Sequence, residues 1–338
     1  MQRKRLGRSA IVVSKICMGT MTFGSQADEA ASLRILDKAF DAGIDFYDTA
    51  ENYPVPPDET WAGRTEEIVG RWLKTKRRDA VILATKVCGP SHGWIRGAQR
   101  AGMTALDRHN ITHAIEASLK RLGTDYVDLY QTHWPDHGAR YEDALETLDE
   151  LVRAGKVRVL GCSNETAWGL MKSLQVCAGH GLQRYETIQN NFSLNNRRFE
   201  DGLSEVCLQE GVSLIPYSPL AGGVLSGKYN GGARPEGARF SNYFDMGGRQ
   251  AVMAQRFIND KSLASTERFM AIAARLGVSS VTLATAWSMQ PEFVASTIVG
   301  VSREDQLDEI LAADALTLDR ETLDQIDQVS REFMYPMG

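Results

Sequence analysis

Four residues carry side chains whose chemistry interlocks: Asp48, Tyr53, Lys86 and His133. The first two lie in AGIDFYDTAENY, residues 42–53, which opens on Gly43, runs through the alternating stretch 44–47 and breaks into a polar tip. A free phenol has a pKa of about 10 and donates its proton reluctantly at neutral pH. A nearby ammonium stabilises the phenolate and lowers that value, and a carboxylate keeps the ammonium in place. Asp48 and Lys86 suit that pair beside Tyr53. His133 suits either a hydrogen bond to a substrate oxygen or a relay of the proton. Nothing in the set activates a nucleophile, so the chemistry is proton transfer to a carbonyl oxygen, in a reduction rather than a hydrolysis. The plainer reading makes Asp48 a cap and Tyr53 a loop aromatic. The elements that hold the four residues decide between the two.

Short apolar runs alternate with amphipathic helical stretches along the whole chain. Residues 4–6 and 11–13 read as a small hairpin across 7–9. Strands are predicted at 16–19, 44–47, 80–84, 127–130, 157–160, 187–189, 213–216 and 295–299. Helices are predicted at 28–42, 65–73, 111–121, 141–154, 165–176, 199–209, 265–276 and 304–312, with a further one at 282–289. Gly43, Gly155 and Gly211 fall where helices should be capped at their C-terminal ends. Eight consecutive βα units favour a closed (β/α)8 TIM barrel over an open doubly wound sheet. No early strand is followed by the GxGxxG turn of an open dinucleotide fold. The expectation is an α/β chain in which residues 1–338 form a single barrel domain. Long rim loops should follow the third and seventh strands, at 87–110 and 217–262, and loops of that length are usually lids or binding elements.

The residues just past each strand should then share one rim. In chain order they are Gly19, Thr20 and Met21; Asp48 and Tyr53; Lys86; His133; Ser163 and Asn164; Gln189 and Asn190; Tyr217 and Ser218; Gly300, Val301 and Ser302. One polar residue at a strand end is ordinarily a cap. An acid, a phenol, a lysine and a histidine on one rim ask for a functional reason.

Composition excludes several classes. The formal net charge of -5 argues against a nucleic-acid partner. No apolar run of signal-peptide or membrane-helix length follows the basic N-terminus, which argues against a membrane. Five cysteines without CxxC spacing fit reduced thiols in a cytoplasm. HNITH at His109–His113 lacks the glutamate of a zinc-protease helix, and Pro135 breaks the His133–His137 spacing, so no metal is expected. GGVLSGK at Gly222–Lys228 nearly matches a P-loop but continues into Tyr229 rather than Ser or Thr. No tyrosine has a lysine four residues later, which excludes a short-chain dehydrogenase. Trp61, Trp94 and Trp134 fall in rim loops, where they either line an apolar substrate pocket or close the loops on themselves.

The ordered motifs DFYDTAENY, ATK, QTHW, GCSNE, IQNNFS, PYSPLAGGVLSGKY and IVGVSREDQL resemble the aldo-keto reductase superfamily, over about residues 6–311. The stretch YPVPPDETWAGRTEEIVG and the ending MYPMG resemble its bacterial Tas-like branch. The resemblance implies a metal-free barrel that reduces aldehydes or ketones, small-molecule carbonyl substrates, with NADPH, NADH being the alternative. It implies Tyr53 as general acid, Lys86 and Asp48 as the partners that lower its pKa, and His133 as the residue that orients substrate. Ser163, Asn164 and Gln189 would hold the nicotinamide carboxamide, with Tyr217 stacked on the ring and the rim residues Gly19, Thr20 and Met21 beside it. Ser218, Pro219, Leu220, Ala221 and Gly222, with Lys228, would wrap the pyrophosphate. Arg239 matches a cofactor-binding arginine of the potassium-channel β-subunit branch. Gly300, Ser302, Arg303, Gln306 and Glu309 would face the adenosine, and Arg303 or Arg239 would suit a 2′-phosphate. Ile310 stands where relatives often place an adenine-contacting asparagine. The β-subunit branch also supplies the competing expectation, a cofactor-binding, redox-sensing regulatory subunit. The chain would act as a monomer or a homo-oligomer.

Overall fold

The computed structural model describes residues 1–90, 95, 99–100 and 105–337. Two short antiparallel strands, β1 (Arg3–Arg5) and β2 (Val12–Ser14), form the predicted hairpin. The chain then alternates: β3 (Ile16–Gly19), α1 (Glu29–Asp41), β4 (Phe46–Asp48), α2 (Arg64–Leu73), β5 (Ile82–Val87), α3 (Arg108–Leu122), β6 (Val127–Thr132) and α4 (Tyr141–Arg153). It continues with β7 (Val157–Ser163), α5 (Ala167–His180), β8 (Tyr185–Gln189), α6 (Leu203–Glu210) and β9 (Ser213–Leu214). The last part holds α7 (Arg239–Met246), α8 (Gly248–Phe257), α9 (Asp260–Arg275), α10 (Ser280–Met289), β10 (Thr297–Val299), α11 (Gln306–Leu311) and α12 (Arg320–Glu332).

The eight strands β3 to β10 lie parallel, in chain order from β3 to β9, with β10 beside β3. The ring closes between β9 and the segment entering β10. Leu214 bridges Val294, Ala295 N–H donates to the Leu214 carbonyl at 2.9 Å, and Ile298 N–H donates to that of Pro216 at 2.8 Å. This is the (β/α)8 barrel predicted from the sequence. No single helix among the described residues is long and apolar enough to cross a membrane.

Strand side chains point alternately inward and outward, and this sorts the core into two parts. Met18, Tyr47, Leu83, Tyr130, Leu160 and Ile188 face the helices, where they join the large cluster that includes Ile35, Ile68, Ile115, Leu148 and Leu170. Cys17, Phe46, Ala84, Leu129 and Ile298 face the barrel interior. Leu6, Ile11 and Val13 of the hairpin plug that interior from the N-terminal ends of the strands. There, Gly7 N–H donates to Ser213 Oγ and Arg8 N–H to Glu186.

Three boundaries differ from expectation in the same direction. β5 runs to Val87, β6 to Thr132 and β7 to Ser163, each past the predicted end at 84, 130 or 160. Each extension includes a polar residue that alternation turns inward, Lys86, Gln131 and Ser163, so the strand continues into the polar interior layer. The 217–262 region is not one open loop either. It contains α7 and α8, separated by Gly247 and anchored by buried Phe240, Tyr243 and Phe257. The helix α9 begins earlier than predicted, at a capping box made by Asn259 and Ser262.

Candidate active site

The upper interior layer is built by the next inward residue of each strand. Above Phe46 stands Asp48, above Ala84 stands Lys86, above Leu129 stands Gln131, and above Thr187 stands Gln189. In register, Lys86 pairs with Gln131 and Gln131 with Gly161. All four of these polar side chains are buried. Lys86 Nζ donates to Asp48 Oδ2 at 2.5 Å, to the Thr49 carbonyl at 2.9 Å and to Tyr53 Oη at 3.3 Å. The other carboxylate oxygen, Asp48 Oδ1, accepts from Gln131 Nε2 at 3.0 Å and Gln189 Nε2 at 2.9 Å. The Tyr53 and His133 rings meet edge to face, 5.7 Å between centroids. The sequence-predicted acid, phenol, lysine and histidine therefore stand at one place.

Burial sets the protonation states. It pushes the Tyr53 phenol up, against the Lys86 ammonium, and the net direction is upward. That corrects the expectation of a lowered phenol pKa: Lys86 limits the rise but does not reverse it, because desolvation of a phenolate here is the larger effect. Tyr53 thus carries its proton at neutral pH. Burial also disfavours the Lys86 charge, but Asp48 and Tyr53 outweigh it and raise the amine above its usual value. Burial, aided by the Lys86 charge, takes His133 well below the ordinary imidazole range. His133 is therefore a neutral hydrogen-bonding ring, and its buried Nδ1 has no partner among the described residues.

The residues expected to hold a cofactor spread along the same rim. Ser163 Oγ donates to the Gln189 carbonyl at 2.8 Å. Asn164, in the left-handed region at φ 57°, donates to the His133 carbonyl and accepts from Tyr217 Oη at 2.7 Å. Thr20 gives both its amide and its hydroxyl to the Asp48 carbonyl, and Gly19 pairs with Asp48 in register. Met21 packs on Tyr53 and Val55. Pro219 and Leu220 form a turn after Ser218, and Ala221 opens a 3-10 turn, Ala221–Ser226, that contains Gly222 and Gly223 in left-handed conformations. A Cβ on Gly222 would stand 2.4 Å from the Phe240 ring, so the loop follows this path only with glycine there.

Lys228 and Arg239 form no ion pair among the described residues, and Arg239 Nε is buried without a partner. Burial lowers the Lys228 amine, and the charges of Arg239 and Arg303 push it the same way. Three cations thus share one field. Arg303 differs from the other two: it is exposed and paired with Asp305 at 3.1 Å. Gln306 Oε1 accepts from the Ser302 and Arg303 amides, which shapes the turn after Gly300. Glu309 is exposed on α11, whereas Ile310 is buried in the core. Ile310 thus faces away from solvent and serves packing.

Trp134 stacks on His133 at 4.0 Å between centroids and is half-buried at the site. Trp61 donates its indole N–H to the Pro56 carbonyl, closing its own loop. Trp94 lies outside the described residues. Among those residues, no group of His, Cys, Asp and Glu clusters as metal ligands.

Sequence reasoning missed Gln131 and the pair Glu51–Arg100. Gln131 sits in the quoted QTHW motif, one alternation above Leu129, and that spacing was the available signal. Glu51 accepts from the Cys88 amide at 2.6 Å and from Arg100 at 2.5 and 3.1 Å, tying those two residues to the tip that carries Tyr53. Nothing local marks Arg100 as its partner.

Residues 15–331 match the aldo/keto reductase family. The chain is 42% identical to the protein tas of Escherichia coli (strain K12), with 99% of each chain covered. It is 31% identical to the versiconal hemiacetal acetate reductase of Aspergillus parasiticus, covering 97% of this chain and 96% of that one. It is 33% identical to a probable voltage-gated potassium channel subunit beta of Arabidopsis thaliana, with the same coverage. A match spanning nearly the whole barrel, with near full-length similarity to these proteins, settles the relationship: the chain belongs to the aldo/keto reductase family of oxidoreductases.

Proposed function

We propose that the protein is an NADPH-dependent carbonyl reductase, converting an aldehyde or ketone to an alcohol, with Tyr53 as general acid. The observation that carries this reading is the contact of the buried Lys86 ammonium with both Asp48, at 2.5 Å, and the Tyr53 hydroxyl, at 3.3 Å. The residues fit a dinucleotide phosphate. Lys228 and Arg239 are cations without carboxylate partners among the described residues, Arg239 Nε is an orphaned buried donor, and Gln189 turns its nitrogen to Asp48 and Gln131 in its own layer. When bound, NADPH supplies the hydride to the carbonyl carbon.

The chain's own residues do the rest. Tyr53 Oη donates its proton to the carbonyl oxygen as the C–H bond forms, giving the alcohol and a phenolate. Lys86 stabilises that phenolate across a buried contact, where a fixed charge acts strongly. Asp48 holds Lys86 charged and aimed. Neutral His133 offers a hydrogen bond to the substrate oxygen, and half-buried Trp134 supplies an apolar wall. Of the arginines, Arg239 is the better 2′-phosphate ligand, because Arg303 already has a carboxylate.

The test is a titration with NADPH and NADH, followed by turnover on a panel of aromatic and aliphatic aldehydes. The reading expects tight NADPH binding with aldehyde-dependent oxidation. Tyr53→Phe should cut turnover by at least about a hundredfold with NADPH affinity kept; normal turnover in that variant would remove the acid assignment. Similarity to the potassium channel subunit beta favours a second reading, a cofactor-binding regulatory subunit. Tight nucleotide binding with no turnover on any carbonyl, together with capture of a stable protein partner, would support it instead.

A further inference from the structure

Gln131 is absent from the sequence-predicted site, yet it occupies the centre of the polar layer. Asp48 is the fixed point there. An ionised carboxylate only accepts hydrogen bonds, so any amide beside it must turn its nitrogen inward. Gln131 does so at 3.0 Å and Gln189 at 2.9 Å, both to Oδ1. The Gln131 oxygen is thereby left for another donor, and it accepts from Gln189 Nε2 at 3.1 Å. Both hydrogens of the Gln189 nitrogen are then committed, one to Asp48 and one to Gln131. The Gln189 oxygen has no hydrogen-bond partner among the described residues, although the residue is only 3% exposed.

The neighbouring strand makes room for this arrangement. Gly161 pairs with Gln131 in register, and a Cβ there would stand 3.2 Å from Gln131 Cγ and 2.3 Å from Thr187 Oγ1. A glycine in mid-strand loses packing and gains backbone entropy to be lost on folding, so it marks a close approach. What approaches most closely here is the Thr187 hydroxyl, with the Gln131 and Leu129 side chains next, each at 3.2 Å.

We infer that Gln131 is a positioning residue for recognition of the cofactor's carboxamide. By accepting the second hydrogen of Gln189 Nε2, it fixes the plane of that amide and presents the Gln189 oxygen as an acceptor for a primary-amide N–H. The inference rests on the proposed nicotinamide cofactor. It adds that discrimination at the carboxamide is set by a residue that does not touch it. The same carboxylate then anchors both the Lys86–Tyr53 pair and the amide that reads the cofactor.

The experiment measures equilibrium binding, by quenching of intrinsic fluorescence, of NADP+ and of its 3-acetylpyridine analogue. The analogue carries a methyl ketone in place of the carboxamide and has no N–H to donate. Wild type should hold NADP+ about tenfold more tightly than the analogue, the worth of one hydrogen bond in a buried site. In Gln131→Leu that ratio should fall to about one, through weaker NADP+ binding with the analogue unchanged. Gln131→Met, of the same length, repeats the test if the leucine variant folds poorly, with circular dichroism as the check on folding. A wild-type ratio retained in the Gln131 variants, with both nucleotides weakened in parallel, would make Gln131 a packing residue and overturn the inference. Gln189→Leu separates the two levels of the argument. If it too retains the ratio, or if wild type shows no preference, the carboxamide reading itself is wrong.

Discussion

The two halves of the barrel interior are made by the same strands, yet they differ in kind. Toward the N-terminal ends, Cys17, Phe46, Ala84 and Leu129 interdigitate under the plug of Leu6, Ile11 and Val13. One alternation higher, β4, β5, β6 and β8 present Asp48, Lys86, Gln131 and Gln189 instead. The lower half is stable because apolar surface leaves water. The upper half buries a charged pair and stays folded because the donors meet acceptors: Asp48 accepts three hydrogen bonds, and Lys86 donates three. A small step along the strands therefore separates the part that holds the barrel from the part to which the chemistry is assigned in the proposed function.

Substitutions that blur this division should have effects of different kinds. The largest is expected from Lys86→Met, which leaves the Asp48 carboxylate buried without its counter-charge. Breaking such a pair on one side costs about 3–5 kcal/mol, and denaturant unfolding measures it. Turnover should fall as well, since the phenolate loses its ammonium. A stability loss under 1 kcal/mol would mean that the upper layer is more hydrated than its burial implies.

In the lower half, Leu129→Ala removes hydrocarbon and no polar partner. It should cost about 3 kcal/mol by the same measurement while NADPH affinity stays within about twofold of wild type. A selective loss of cofactor binding would show that the two halves are mechanically coupled, and the division drawn here would fail.

The smallest effect concerns His133. Its pKa is lowered in the folded state, so below about pH 6.5 the unfolded chain binds a proton that the folded chain refuses. Stability should be fully present above that pH and should decline as pH falls, with a limiting slope of about 1.4 kcal/mol per pH unit from this residue. In His133→Gln that component should vanish. Identical pH slopes between pH 7 and 5 for wild type and variant would show that the ring takes up a proton in place.

Much of this was legible in the chain because it depends on local pattern. Period-2 apolar runs alternate with helical periodicity, and the eight-unit count that follows gives the barrel. The tip at Asp48–Tyr53, and the order of Lys86, His133, Ser163 and Gln189 after it, follow from where strands end. Other features were not legible. The strands β5, β6 and β7 ran further than expected because Lys86, Gln131 and Ser163 belong to the strands and turn inward. The helix α12, whose buried Thr322, Ile326 and Val329 recur at helical spacing, carried a readable signal that the expectation did not include.

By itself, the sequence determined which side chains lie at strand ends, and so which chemistry is available. Periodicity and turn residues act over a few positions, and each is written in consecutive residues. Only the tertiary structure decided that Gln131 completes the cage around Asp48, that Glu51 finds Arg100, that Ile310 turns into the core, and that burial outweighs Lys86 at the Tyr53 phenol. Those outcomes depend on strand register and on the removal of water, which bring together residues as distant in sequence as Asp48 and Gln189.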